Sequence, residues 1–260
     1  VTGSTAAPLL EARGLCVVAG PRTLVSALDL AVAAGNFVAV LGRNGAGKTL
    51  LLHTLAGLRA PEAGEVRLGG VAIAGLGRRE IARRLALLPQ DSEAGQAATV
   101  AETVMLARYA HVPLWGAYTD DDRAAVRAAL IAADLQDLAG RAAATLSGGE
   151  LRRAAMACVL AQQAPLMLLD EPTNHLDPHH GLLMLNAFAA RVASRAAVVA
   201  TLHDPTLAAR FATHALLLHG DGRALYGPCD AVLDAGSLTA LYGTPISELR
   251  DGARRIFVPN

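Results

Sequence analysis

The run Gly42-Arg43-Asn44-Gly45-Ala46-Gly47-Lys48-Thr49 leaves this chain few folds to choose from. A glycine, four residues, then Gly-Lys-Thr is a phosphate-binding loop, and each part has a physical reason. Glycines let the backbone curl until its N–H groups converge on phosphate oxygens. A helix starting at the loop presents its positive end to the same oxygens. Lys48 is expected on the β- and γ-phosphates, and the Thr49 hydroxyl on Mg²⁺. The setting agrees. Phe37-Val38-Ala39-Val40-Leu41 reads as a buried strand before the loop, and Leu50 to Leu58 as an apolar helix after it. Gly42, Asn44, Gly45, Ala46, Gly47, Lys48, Thr49 and Leu50 are therefore expected around a nucleoside triphosphate. A glycine-rich turn that binds nothing is the competing reading, and it leaves the flanking strand and helix without a purpose.

The rest of the chain supplies the layers such a loop needs. Short buried runs at 85–88, 166–169, 197–202 and 215–218 alternate with helical stretches, which predicts a mainly parallel sheet. Apolar runs at 10–18 and 24–32, broken at Gly20-Pro21, and a hairpin around Glu65-Val66-Arg67-Leu68 stand before it. From Thr99 to Gln163 the pattern is helical, with capping boxes at Thr99/Glu102 and Ser147/Glu150 and Asp120 as the expected cap of the helix running to Ala133. The predicted fold is α/β with an inserted helical subdomain. At 260 residues the chain suits one large domain.

Composition removes several function classes. Lys+Arg and Asp+Glu are both 23, so there is no overall basic excess of the kind that carries nucleic-acid binding. The longest uncharged apolar stretch, Ala154 to Leu169, is shorter than the ~20 residues of a membrane span and contains Gln162, Gln163 and Pro165. No signal peptide is expected at the start. Cys16, Cys158 and Cys229 lie far apart, and free thiols in a reducing compartment are expected. No histidine spacing points to a metal site.

The strand at 166–169 ends in Asp170-Glu171-Pro172. The end of a strand beside the phosphate loop is where an open α/β sheet binds its ligand. Adjacent carboxylates repel, and a bound cation relieves that cost. Asp170 is thus expected to hold Mg²⁺ through water, and Glu171 to orient or deprotonate the attacking water. A solvated acidic turn would be the better reading of these residues taken without the phosphate loop.

Leu146-Ser147-Gly148-Gly149-Glu150 resembles the signature of the ABC ATPases, and the other motifs follow in that family's order over nearly the whole chain. The resemblance implies a P-loop NTPase (RecA-like) core with an antiparallel β subdomain and the inserted helical subdomain at about 91–165. It also implies one ATP-binding domain over 1–260, with a C-terminal extension at about 222–260. By resemblance, Ser147, Gly148, Gly149 and Glu150 bind the γ-phosphate of ATP held by a second copy. Gln90 is the sensing glutamine near γ-phosphate and Mg²⁺. Asp177, in Asn174-His175-Leu176-Asp177, belongs to the loop that also meets the nucleotide, and His203 is the switch histidine. The implied catalytic residues are Glu171, His203 and Lys48, with Thr49, Gln90 and Asp170 around Mg²⁺.

The chain departs from the family at four places. Ala19 stands where an aromatic usually stacks on adenine, and residues 11–36 hold no aromatic. Leu50 follows the Mg²⁺ ligand where a second hydroxyl is common. Glu150 and Arg152 each replace a glutamine. A separate importer motor is implied, working as a homodimer below two membrane permeases at the cytoplasmic face of the inner membrane, served indirectly by a periplasmic binding protein. The stretch Leu106 to Leu138, Leu202-His203-Asp204-Pro205 and Leu241-Tyr242-Gly243 resemble ATPases of cobalamin, haem and ferric-siderophore importers. The tail from Leu241 favours cobalamin slightly. The alternative is a soluble ABC ATPase acting on nucleic acid or ribosomes, but long coiled-coil insertions, paired domains and a basic surface are missing from this sequence.

Overall fold

A computed structural model describes residues 7–91, 98–113, 115–252 and 254–260. Two strands turn at Gly20-Pro21, Leu10–Ala19 (β1) and Arg22–Val32 (β2). Phe37–Gly42 (β3) then enters the phosphate loop, and Lys48–Leu55 (α1) leaves it. Ala63–Leu68 (β4) returns to pair with β1, and Val71–Ala72 (β5) closes an antiparallel sheet of order β2-β1-β4-β5. Arg78–Arg84 (α2) leads into Leu85–Leu88 (β6). The helical insert contributes Val100–Leu106 (α3), Asp120–Ala132 (α4) and Gly148–Gln162 (α5).

Leu166–Leu169 (β7), Pro178–Ala193 (α6), Ala197–Thr201 (β8), Pro205–Phe211 (α7) and His214–Leu218 (β9) complete the α/β alternation. Ala224–Pro228 (β10) runs antiparallel to β9 at one edge. The central sheet has the order β10-β9-β3-β8-β7-β6, parallel apart from β10. Cys229–Val232 (α8), Ala235–Tyr242 (α9) and the hairpin Ile246–Asp251 (β11) with Arg254–Pro259 (β12) follow. This is the α/β P-loop NTPase architecture that the sequence predicts.

β3, β7 and β8 are buried at every residue, because layers cover both faces of the central sheet. β3 shows how the faces divide. Phe37, Ala39 and Leu41 pack with the helical insert, α6 and the C-terminal elements. Val38 and Val40 pack with α1 and the antiparallel sheet. This is the two-residue period of a strand, and it fixes the loop after Gly42 at the carboxyl edge of the sheet.

Two boundaries differ from the sequence reading. α4 is capped by Thr119, not Asp120. The Thr119 hydroxyl accepts from the Asp122 N–H at 3.2 Å, while the Asp122 carboxylate accepts from the Thr119 N–H at 2.9 Å. Asp120 is left in the first turn, paired at 3.2 Å with Arg123. The extension expected from residue 222 gives its first strand, β10, to the central sheet. The expected insert at about 91–165 includes residues 92–97 and 114, which lie outside the described residues, as do residues 1–6 of the expected domain. All three cysteines are free.

Candidate nucleotide site

The carboxyl edge of the central sheet opens into a cleft of about 540 Å³. The phosphate loop forms one wall. Gly47 has φ 99°, and a Cβ there would lie 2.9 Å from Leu24, so any other residue would meet both strain and a clash. Gly42 is closed to a side chain too, since its Cβ would sit 2.6 Å from the Leu218 carbonyl. Asn44, Gly45, Gly47, Lys48, Thr49 and Leu50 line the cleft. Ala46 turns its methyl into the core, leaving only backbone for a ligand. Gly42 and Asn44 also border a neighbouring cavity of about 720 Å³, shared with His203, Tyr242 and the C-terminal hairpin.

Lys48 is buried, and its Nζ donates to the Gly42 carbonyl at 2.9 Å. Burial lowers its pKa, while Glu171 and Asp170 act in the opposite direction. Anionic phosphates entering the loop would stabilise the ammonium further.

β7 delivers Asp170 and Glu171 to the opposite wall. Asp170 Oδ1 accepts from the Thr201 hydroxyl at 2.7 Å. The same hydroxyl accepts from the Glu171 N–H at 2.7 Å, so the last residue of β8 braces the acidic pair. Asp170 Oδ2 is buried without a hydrogen-bond partner, a costly state that a cation or its bound water would relieve. Glu171 lies in the left-handed region at φ 46°, a strained backbone for a non-glycine residue. Its carboxylate, in a residue only 8% exposed, faces three side chains. Oε1 lies 2.7 Å from His203 Nε2, and Oε2 accepts from Gln90 at 3.4 Å and from the Asn174 amide. Gln90, Glu171, Asn174 and His203 all line the cleft.

A second concavity of about 240 Å³ holds Ser147, Gly149, Glu150 and Asp177 together with His180. Ser147 caps α5. Its N–H donates to Glu150 at 2.7 Å, and its hydroxyl accepts from the Glu150 N–H at 3.4 Å. Asp177 caps α6 by accepting from the His180 N–H at 2.9 Å, and this bond together with the His180 ring lowers its pKa to about 2. Gly148 borders the space between the two, beside Gln90 and Arg152. Most predicted site residues thus line one of two concavities, Gly42, Ala46, Gly148 and Asp170 lining neither, and Ser147 does not line its own phosphate-loop cleft.

Sequence reasoning assigned no role to Thr201, Asn174, Arg22 or Arg152. Thr201 is the polar end of an otherwise apolar strand, and Asn174 lies within a motif quoted for its aspartate. Arg22 lines the cleft next to Ala19. Arg152 gave one signal, a charge replacing a glutamine.

Residues 25–174 match the family model for ABC transporters. This chain belongs to the ABC transporter family. It is an ATP-binding ATPase of that family. The hemin import ATP-binding protein of Nocardia farcinica is 45% identical, over 92% of this chain and 84% of its own length. The ferric enterobactin transport ATP-binding protein of Escherichia coli K12 is 36% identical, over 86% of this chain and 83% of its own. Among solved structures, a chain from a metal-chelate type ABC transporter in an inward-facing conformation matches with a TM-score of 0.83. It is 26% identical and covers 97% of this chain and 98% of that one. Among the described residues, no helix is long and apolar enough to cross a membrane.

Proposed function

We propose that this ABC ATPase is the motor of a bacterial importer for a metal-chelate nutrient, with haem as the first candidate cargo. The observation that carries the mechanism is the Glu171 carboxylate, held by Gln90, Asn174 and His203 across the cleft from Lys48 and Thr49. The cargo reading follows the 45% identical hemin import relative, and ferric siderophore follows the ferric enterobactin relative. These relatives outweigh the tail from Leu241, on which a cobalamin preference would rest.

In this reading residues 1–260 act as one ATP-binding domain, with the helical insert at about 91–165 and the C-terminal extension at about 222–260. Gly42 to Leu50 and Lys48 hold the phosphates. Glu171 orients the attacking water and takes its proton, and His203 donates toward the γ-phosphate. Thr49, Gln90 and Asp170 fit a Mg²⁺ ion, and the buried, unpartnered Asp170 Oδ2 supports that assignment. The ion would neutralise charge on the phosphates. Ser147, Gly148, Gly149, Glu150 and Asp177 complete the site of a second copy, which makes the working unit a homodimer. ATP bridges the copies, so closure draws on its stronger binding to the closed state. The dimer serves two permease subunits at the cytoplasmic face of the membrane, and indirectly a periplasmic binding protein. No nucleic acid takes part.

Glu171→Gln tests the reading. The purified variant is expected to bind ATP and to lose ~10²- to 10⁴-fold in turnover, the usual cost of removing a general base. In the cell, the same substitution should stop growth on haem as sole iron source while leaving cobalamin-dependent growth intact. Near wild-type turnover would remove Glu171 from the chemistry, and normal growth on haem would remove haem as the cargo.

A further inference from the structure

Arg152 lies on α5, one turn beyond the Ser147 cap, and is only 3% exposed. Its Nη1 donates to the carbonyls of Pro89 at 2.7 Å and Gln90 at 3.0 Å. Its Nη2 donates to the carbonyl of Glu171 at 2.8 Å and to that of Asp170. Four main-chain oxygens from two separate loops therefore meet on one guanidinium. Burial lowers the pKa of this group, offset by the nearby Asp170 and Glu171 charges. Taking a guanidinium out of water is costly. The glutamine amide usual at this position has two N–H donors and no charge to desolvate, but it cannot meet four carbonyls. The arginine fork can, because its donors spread in a rigid plane.

The carbonyls it holds are not neutral ground. Those of Asp170 and Glu171 flank the residue at φ 46°, and that conformation aims the Glu171 side chain into the cleft. The Gln90 carbonyl belongs to the residue whose amide reaches Glu171. The other end of the same helix opens at Ser147, in the second concavity.

We propose that Arg152 is a positioning residue that fastens the Ser147 helix to the loops of Gln90 and Glu171, coupling the two half-sites within one chain. This rests on the dimeric ATPase reading above. When Ser147 caps ATP on a second copy, the helix shifts as a unit, and Arg152 carries that shift to the groups that position water on this chain's own ATP. Hydrolysis at one site then depends on closure at the other.

The test is ATP hydrolysis by the full chain as a function of ATP concentration, for wild type, R152K, R152Q, R152M and E171Q, with nucleotide affinity measured separately. R152M is expected to lose about tenfold in kcat with KM changed less than about twofold, the pattern of a group that acts on the chemical step alone. Cooperativity in ATP should fall, with the Hill coefficient moving toward 1. R152K should behave like R152M, because a compact ammonium cannot span both loops. R152Q should recover part of kcat through its two donors. R152K at wild-type rate and cooperativity would overturn the inference, since charge would then suffice. A fall in ATP affinity matching the fall in kcat would also overturn it, by making the role merely structural. If R152M does not fold, R152K and R152Q carry the comparison. Loss in E171Q with no change in any Arg152 variant would overturn this inference alone, and wild-type hydrolysis in all of them would also remove Glu171 from the chemistry.

Discussion

At the base end of the cleft the lining side chains are Ala19, Arg22 and Leu24, none of them aromatic. Base–aromatic stacking is worth ~1–3 kcal/mol in single-strand binding proteins. Without it, affinity comes chiefly from phosphate contacts, which ATP and GTP share. The wild type is therefore expected to discriminate weakly between the two. Ala19→Tyr should tighten ATP binding by about fivefold or more, within the range of one stacking contact. Competition of ATP against GTP for both proteins measures this. Strong ATP preference in the wild type, unchanged by the substitution, would mean that another group already holds the base, with Arg22 the nearest candidate for stacking through its guanidinium. The phosphate loop was legible in sequence because its chemistry is local. Gly42 to Thr49 lie in one stretch and need only a strand before and a helix after. The bracing by Thr201 and Arg152 was not legible, because those bonds join residues 31 and 62 positions apart. No local pattern records such a pair, and only the register of β8 beside β7 brings Thr201 to Asp170.

A buried ion pair in the helical insert shows how an element depends on its cap. Asp122 in the first turn of α4 accepts from the Thr119 N–H and pairs with Arg108 at 2.8 Å, both side chains being buried. Arg108 in turn donates to the Ala161 carbonyl at 2.9 Å at the end of α5. The Thr119 bond, reinforced by Arg108, pulls the Asp122 pKa down to about 2 against the opposing effect of burial. A carboxylate with a folded value below its unfolded value of 3.8 adds stability that is complete above pH 4. That stability is lost as pH falls through about 2. Asp122→Ala leaves Arg108 buried without its partner and should cost ~3–5 kcal/mol at neutral pH. Denaturant melts of both proteins from pH 7 down to about 2 should show the gap narrowing across that acid window. A constant gap would assign the loss to packing and the helix cap. Three successive aspartates after Thr119 explain why sequence alone misplaced the cap. Each is an acceptable first-turn acid, and only burial of Asp122 against Arg108 fixes the register.

On the scale of the whole molecule, the two concavities set the logic. The phosphate loop, Gln90, Glu171 and His203 share one, and Ser147, Gly149, Glu150 and Asp177 the other. Ser147 and Asp177 open α5 and α6 in the second concavity, and neither lines the first. In the proposed homodimer, a second copy brings its Ser147 to the first copy's cleft. Ser147→Arg separates these roles in one substitution. It puts bulk and charge at the start of α5 and leaves every phosphate-loop residue of its own chain in place. The variant is expected to bind ATP with wild-type affinity as a monomer, since the cleft of about 540 Å³ is unchanged. It should fail to form an ATP-dependent dimer by size-exclusion chromatography, and its turnover should fall to background. Mixing it with Glu171→Gln sharpens the test. In a mixed dimer both substitutions then fall on the same ATP, the S147R helix of one copy facing the E171Q cleft of the other. The second ATP lies between an intact Ser147 and an intact Glu171. If each site works independently, about half of the wild-type rate per mixed dimer should return, whereas the coupling assigned to Arg152 requires the rate to stay near zero. A Ser147→Arg protein that binds ATP and hydrolyses it normally would reduce Ser147 to a helix cap and the second concavity to surface.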